Sequence, residues 1–118
     1  MNGHRLLIAF GGLSGAGGVA LSAASAHGGD ANLATAGTFL LIHAAALLAV
    51  GLAPRGRVMA VGGFVLFAGL AMFAGDLAAR HYFGSRLFPM AAPAGGVLLI
   101  AGWLIVAASA LVRTGEPR

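Results

Sequence analysis

The chain has 118 residues, of which 59% are hydrophobic and only 8% are charged. An ordinary soluble domain carries about 25% charged residues, so this composition excludes a soluble fold and predicts one integral membrane domain over residues 1–118. The seven basic residues stand between apolar runs, which argues against a nucleic-acid partner, and the absence of cysteine excludes disulfides, iron–sulfur clusters and thiol catalysis.

Four apolar segments are each long enough to cross a bilayer, which takes about 20 residues in a helix. They are Leu6–Ala26, Leu33–Leu52, Val58–Ala79 and Met90–Val112. The loops between them are short, and short loops make consecutive helices antiparallel neighbours. We therefore predict an all-α membrane protein, an antiparallel bundle of four transmembrane helices.

The first segment ends in LSAASAHGGD, where Ala24–Ala26 has the small-x-small form that signal peptidase cuts. A signal peptide has an apolar region of about 7–15 residues, usually rich in leucine, whereas this run is longer and rich in glycine. Gly11 and Gly15, like Ser14 and Gly18, have the small-xxx-small spacing that lets membrane helices approach closely. We predict a retained first helix with a packing face, and no cleaved signal peptide.

The second segment contains His43 near its middle. A buried neutral histidine needs a hydrogen-bond partner, because an unpaired polar group in hydrocarbon is costly. Ser14 on the first helix lies at a comparable depth, so we predict a bond to this serine or to a backbone carbonyl. A ligand, proton-relay or substrate contact of His43 is the alternative.

The third segment contains Asp76, the only acid within an apolar run. Arg80 follows four residues later, and side chains at this spacing face one another on a helix. One interpretation is an interfacial Asp76–Arg80 pair at the end of the helix. The other is a protonatable Asp76 that faces a polar pocket, with His27 as its partner, because the sequence places both at the same end of their helices.

The fourth segment carries a pattern of small residues and one aromatic, namely Pro93, Gly95, Gly96, Gly102 and Trp103. We predict that the three glycines pack closely against a neighbouring helix. Trp103 lies within the helix and not at its ends, so we expect it in the core with its N–H near a carbonyl.

This pattern, together with Ala26-His27-Gly28 and His43, resembles the family catalogued as domain of unknown function 423, which includes YgdD-like and transmembrane-protein-256-like proteins. The resemblance covers nearly the whole chain. It implies a four-helix inner-membrane fold with His27 retained, and no established reaction. This chain departs from the family pattern upstream of His27, where a glycine and an aromatic are lost, and at Ala74-Gly75-Asp76, where members often have Ser-Gly-Ser.

The arginines predict the orientation. Five fall on the side of the two termini and the second loop: Arg5, Arg55, Arg57, Arg113 and Arg118. Only Arg80 and Arg86 fall on the opposite side. Because positive charge accumulates on the cytoplasmic side, we predict that both termini are cytoplasmic in a bacterial inner membrane.

The sequence contains no nucleophile–base pair, no acid–base dyad and no His-x-x-x-His or His-x-x-Glu spacing. We therefore expect no enzyme, no metal or haem site and no cofactor. The predicted function is a non-catalytic accessory, assembly or lipid- or small-apolar-ligand-binding module. Its expected surroundings are membrane lipids, with a larger membrane complex or a homo-oligomer as partner. The alternative is a small proton-coupled transporter or exporter that uses Asp76.

Overall fold

Four helices occupy the four apolar segments in a computed structural model, which describes residues 2–53 and 56–112. They are α1 (Gly3–Gly28), α2 (Ala31–Leu52), α3 (Arg57–Tyr82) and α4 (Ala91–Ser109). Each is long and apolar enough to span a membrane, so the predicted all-α class with four spans is confirmed. Arg55, Arg113 and Arg118, which contribute to the predicted orientation, lie outside the described residues.

Most helix boundaries differ from the prediction by one to three residues, and two of these differences have clear local reasons. α1 begins three residues earlier than predicted because the Asn2 side chain accepts a hydrogen bond from the Arg5 N–H and caps the helix. α4 ends at Ser109 instead of Val112. The next three amide groups bond to carbonyls three residues back, which tightens the chain into turns.

The connection between α1 and α2 consists of only Gly29 and Asp30. Gly29 adopts a left-handed conformation with φ of 68°, which ends α1 and favours glycine. Asp30 then accepts a hydrogen bond from the Leu33 N–H and caps α2. This tight connection makes α1 and α2 antiparallel neighbours.

The helices pack in chain order, α1 on α2, α2 on α3 and α3 on α4, and α1 also touches α3. Among the described residues, the backbone of α4 approaches only that of α3. The bundle is therefore open on the side where α4 faces α2. Buried leucines fill the contacts between the other helices, including Leu7, Leu47, Leu66 and Leu70.

Glycines set the distance between the paired helices. A Cβ at Gly95 would lie 2.6 Å from the Phe73 nitrogen and 2.8 Å from the Gly69 oxygen, so α3 and α4 touch backbone to backbone. A Cβ at Gly102 would lie 2.8 Å from Leu66 Cγ, and one at Gly18 would lie 2.8 Å from Leu41 Cγ. The structure thus places Gly18, Gly95 and Gly102 where their helices approach a neighbour closely.

Of the other predicted packing glycines, Gly11 also lies in a close contact, whereas Gly15 and Gly96 do not. A Cβ at Gly11 would lie 3.0 Å from Leu48 Cγ, whereas one at Gly15 would make an ordinary contact of 3.6 Å with the Ala44 Cβ. The prediction for Gly96 is wrong, because a Cβ there would meet no atom within 4 Å. One residue after Gly95, the helix has turned this position away from α3.

The neighbouring glycines Gly95 and Gly96 provide a matched test of the backbone contact. We expect Gly95→Ala to lower the free energy of unfolding by about 1–3 kcal/mol, because backbone atoms of α3 have to move. Gly96→Ala has open space and reduces backbone freedom in the unfolded chain, so it should be neutral or slightly stabilising. Denaturation in mixed micelles, followed by circular dichroism, measures both; equal stabilities for the two variants would contradict the contact.

Candidate functional site

A groove of about 510 Å³ lies between α2 and α4, with α3 beneath it. We call it the lateral groove. It is lined by Phe39 and His43 of α2, Phe73 of α3, and Pro93, Gly96, Val97, Leu99, Ile100 and Trp103 of α4. Val97 and Ile100 are more than 60% exposed, so the groove opens at the surface of the bundle. Its volume is within the range of small-molecule sites, about 300–1,000 Å³.

The groove contains one polar pair, in which the Trp103 indole N–H donates a hydrogen bond to His43 Nε2 at 3.1 Å. His43 Nδ1 lies 2.8 Å from the Phe39 carbonyl oxygen. An indole only donates and a carbonyl only accepts, so Nε2 must be unprotonated and Nδ1 must carry the hydrogen. His43 is therefore neutral, and both of its ring nitrogens are hydrogen-bonded.

The depth of the pair follows from the direction of the helices. α2 and α4 begin at the same end of the bundle, and each pair member lies twelve residues after the first residue of its helix, from 31 to 43 and from 91 to 103. At 1.5 Å per residue this places both about 18 Å from that end. The contact thus lies near mid-membrane depth. The backbones of α2 and α4 do not pack against each other, and among the described residues this is the only side-chain hydrogen bond between the two helices.

The structure corrects two of the predictions for these residues. Of the two partners predicted for His43, the backbone carbonyl is present, but Ser14 is not a partner; it is buried on α1 and lines a different groove, between α1 and α3. Trp103 is 43% exposed, not in the core, and its N–H donates to a histidine, not to a carbonyl. Among the described residues the backbone of α4 approaches only that of α3, so the Trp103 face of α4 is only partly covered.

Asp76 is fully buried near the end of α3, and both of its carboxylate oxygens have partners. Oδ2 accepts from Arg80 Nε at 3.0 Å and lies 2.8 Å from Arg80 Nη2. Oδ1 accepts from the Leu87 backbone N–H at 2.9 Å. The predicted Asp76–Arg80 pair is present, and the carboxylate also fixes the loop that leads to α4.

His27 and Asp76 do not bond to each other. His27 is exposed, and its Nδ1 lies 2.9 Å from the Ala23 carbonyl oxygen of its own helix. The α1–α2 loop is joined to the end of α3 by His81, whose Nδ1 donates to Asp30 Oδ2 at 2.7 Å. The hydrogen bond from the Leu33 amide, and then that from His81, lower the pKa of Asp30 below its ordinary value.

Within residues 2–53 and 56–112, no three His, Asp or Glu side chains come together as metal ligands. The expectation of no metal and no cofactor stays a prediction. In the lateral groove, a metal ligand is available only if His43 gives up its bond from Trp103, since the other nitrogen is held by the backbone.

The fold and the groove define a class: a small multi-pass membrane protein in which the buried side chains of His43 and Asp76 are hydrogen-bonded within the bundle. The sequence profile described as "Protein of unknown function (DUF423)" matches residues 19–96. The chain therefore belongs to the DUF423 family. The matched region includes His43 and ends at Gly96, seven residues before Trp103. No solved structure matches the chain.

The contacts between residues distant in sequence were not predicted. Trp103 has the same offset from the start of α4 as His43 has from the start of α2, so depth alone made it a candidate partner. The role of Leu87 gave no signal, because its contribution is a backbone N–H. Asp30 and His81 are far apart in sequence, but both lie at loop ends on the same side of the bundle.

Asp76→Asn tests the role of the carboxylate. Asparagine keeps one oxygen for the Leu87 amide but turns an N–H₂ group towards Arg80, so the cation loses its partner. We expect the free energy of unfolding to fall by about 2–3 kcal/mol. Breaking a fully buried ion pair typically costs as much or more, and Arg80 is partly exposed.

Asp30→Asn is the matched control for this change, because asparagine caps a helix as well as aspartate does. We expect it to alter stability less than Asp76→Asn does, since Asp30 is partly exposed whereas Asp76 is fully buried. If Asp76→Asn is no less stable than Asp30→Asn in the same micelles, the carboxylate does not stabilise the α3–α4 loop.

Proposed function

We propose that this protein is a non-catalytic membrane module that binds one small apolar molecule from the bilayer in the lateral groove. The observation that carries the proposal is the groove itself, which lies between two helices that do not pack and opens on an apolar surface. A ligand there would replace lipid contacts with contacts to Phe39, Phe73 and the α4 residues.

The arrangement of buried and groove-lining residues on α4 supports a binding role for the groove. Its residues 91, 92, 95, 99 and 102 are buried, whereas Pro93, Gly96, Val97, Ile100 and Trp103 line the groove. This second set recurs at spacings of three and four residues, which form one stripe along a helix. Gly96 removes a side chain from the middle of that stripe and so widens the groove.

The same contacts support a role without catalysis. Both nitrogens of His43 and both oxygens of Asp76 are hydrogen-bonded, so neither group is free to act as a general base. The transporter alternative depended on a protonatable Asp76. Its carboxylate is bound to Arg80 and to the Leu87 amide, which favours a structural role for this residue.

We also propose that the protein lies in a bacterial inner membrane, with α1 retained and both termini cytoplasmic. The excess of arginine on the side of the termini supports the orientation. The packing of Gly11 and Gly18 of α1 against α2 supports retention, because a removed segment would leave that face of α2 uncovered.

The single tryptophan of the chain reports on the groove that it lines. We expect 1-bromododecane, added to the protein in detergent micelles, to quench Trp103 fluorescence with a saturable component at low mole fraction. Collisions with bromoalkane in the micelle add a component that rises linearly with mole fraction. The measurement is a quenching titration.

Two glycine-to-leucine variants separate these components. The Cβ of Gly96→Leu lies in open space, and its side chain extends into the groove, so this variant should remove most of the saturable component. Gly12→Leu also has open space but lies on α1, away from the groove, and should behave like the wild type. If quenching is linear in the wild type, or equal in all three proteins, the groove does not bind apolar molecules.

The absence of cysteine makes the proposed topology directly testable with single-cysteine variants. Asn2→Cys lies at the start of α1, and Ser85→Cys lies in the exposed loop after α3. A membrane-impermeant maleimide should label Ser85→Cys in intact cells, and Asn2→Cys only after the inner membrane is opened. If α1 is removed, the mature chain of Asn2→Cys carries no label even after the inner membrane is opened. If Asn2→Cys is labelled in intact cells, the proposed orientation is wrong.

A further inference from the structure

The lateral groove has one hydrogen-bonding pair within an otherwise apolar lining, and its chemistry restricts the ligands that fit. The pair consists of one donor, the Trp103 N–H, and one acceptor, His43 Nε2, 3.1 Å apart. His43 is held in place by its bond to the Phe39 carbonyl and is only 5% exposed. Trp103 is far more exposed, so it is the partner that can turn away.

When Trp103 turns, the groove presents a free donor and a free acceptor at the same depth. A ligand group that enters between them leaves no unpaired atom only if it accepts from the indole and donates to the histidine. A hydroxyl group does both. A ketone, ester or ether oxygen accepts but cannot donate, so it would leave His43 Nε2 unpaired, and a hydrocarbon does neither.

The depth of the pair adds a second restriction. His43 and Trp103 lie about 18 Å from the end of the bundle at which their helices begin. A phosphate or ammonium group is costly at mid-membrane depth, and no side chain of opposite charge lines the groove. The polar group of the ligand must therefore be small and uncharged.

We propose that the ligand of the lateral groove is an uncharged apolar molecule with a single hydroxyl group, which inserts between Trp103 and His43. The hydroxyl hydrogen is donated to His43 Nε2, and the hydroxyl oxygen accepts from the Trp103 N–H. This inference rests on the proposed function of the groove and specifies the class of molecule that it selects.

Competition against 1-bromododecane tests the inference on the wild-type chain. Dodecan-1-ol, dodecan-2-one and dodecane are each titrated over the same range of mole fraction in the micelle, and the recovery of Trp103 fluorescence measures displacement. The alcohol makes two hydrogen bonds and breaks one, so we expect it to displace the bromoalkane at a mole fraction about three- to tenfold lower than dodecane does. The ketone exchanges one bond for another and should resemble dodecane.

In the His43→Phe variant, we expect a different ranking of the three competitors in displacing 1-bromododecane. Phenylalanine keeps a ring at this position but removes the acceptor, so the Trp103 N–H has no partner in the groove. The alcohol and the ketone should then displace the bromoalkane equally well, and both better than dodecane. This change of order is not expected if the alcohol merely partitions more strongly into the micelle.

The outcomes separate this inference from the function on which it rests. Equal displacement by all three competitors in the wild type, with saturable quenching still lost in Gly96→Leu, would overturn the hydroxyl selectivity and leave an apolar ligand site. Quenching without a saturable component would overturn both. An alcohol preference that persists unchanged in His43→Phe would also overturn the proposed hydrogen bond. If this variant does not fold, the wild-type competition decides.

Discussion

The backbone contact between Gly69 of α3 and Gly95 of α4 determines the form of the molecule. Helices that approach this closely gain van der Waals contact along their backbones, which is the main source of association where lipid chains are as apolar as leucine. α4 is therefore bound along one face to α3 and needs no second neighbour. The opposite face of α4 stays uncovered, and the lateral groove follows from this asymmetry.

A second constraint acts on the polar side chains. In hydrocarbon, a polar group without a partner is costly, and two groups meet this requirement in different ways. His43 uses its own helix and α4, and Asp76 uses its own helix and a loop amide. Outside the apolar segments, Asp30 caps α2 while it accepts from His81. Each satisfied group also joins two parts of the chain, so the polar contacts supplement the glycine packing.

The sequence predicts the spans well because length and hydropathy decide them, and it predicts contacts within one helix because the spacing is fixed. The Asp76–Arg80 pair is of this kind. The rotation of each helix about its axis, in contrast, cannot be predicted from the sequence. All four helices are apolar on every side, so no polar stripe indicates which face is buried. Gly95 and Gly96 show the difficulty: they are adjacent and identical, yet one touches α3 and the other opens the groove.

The same ambiguity explains why the site was only half predicted. His43 was identified as a buried group in need of a partner, and its depth was correct, but the partner depended on the rotation of α4. Once the Gly95 face is fixed on α3, Trp103, eight residues later, points towards α2 at the level of His43. The rotation that hides one glycine thus places the indole in the groove.

The two polar sites differ in how readily their partners can be exchanged. Asp76 carries a charge that is matched by Arg80, and separating the two would leave an unpaired charge within the membrane. His43 and Trp103 are both neutral, and their bond can be replaced by any group that donates and accepts at the same place. The neutral pair lies in an open groove, whereas the Asp76 carboxylate is fully buried at the end of α3. In the function that we propose, a ligand exchanges with the bond at His43, while the contacts of Asp76 with Arg80 and the Leu87 amide hold the loop that leads to α4.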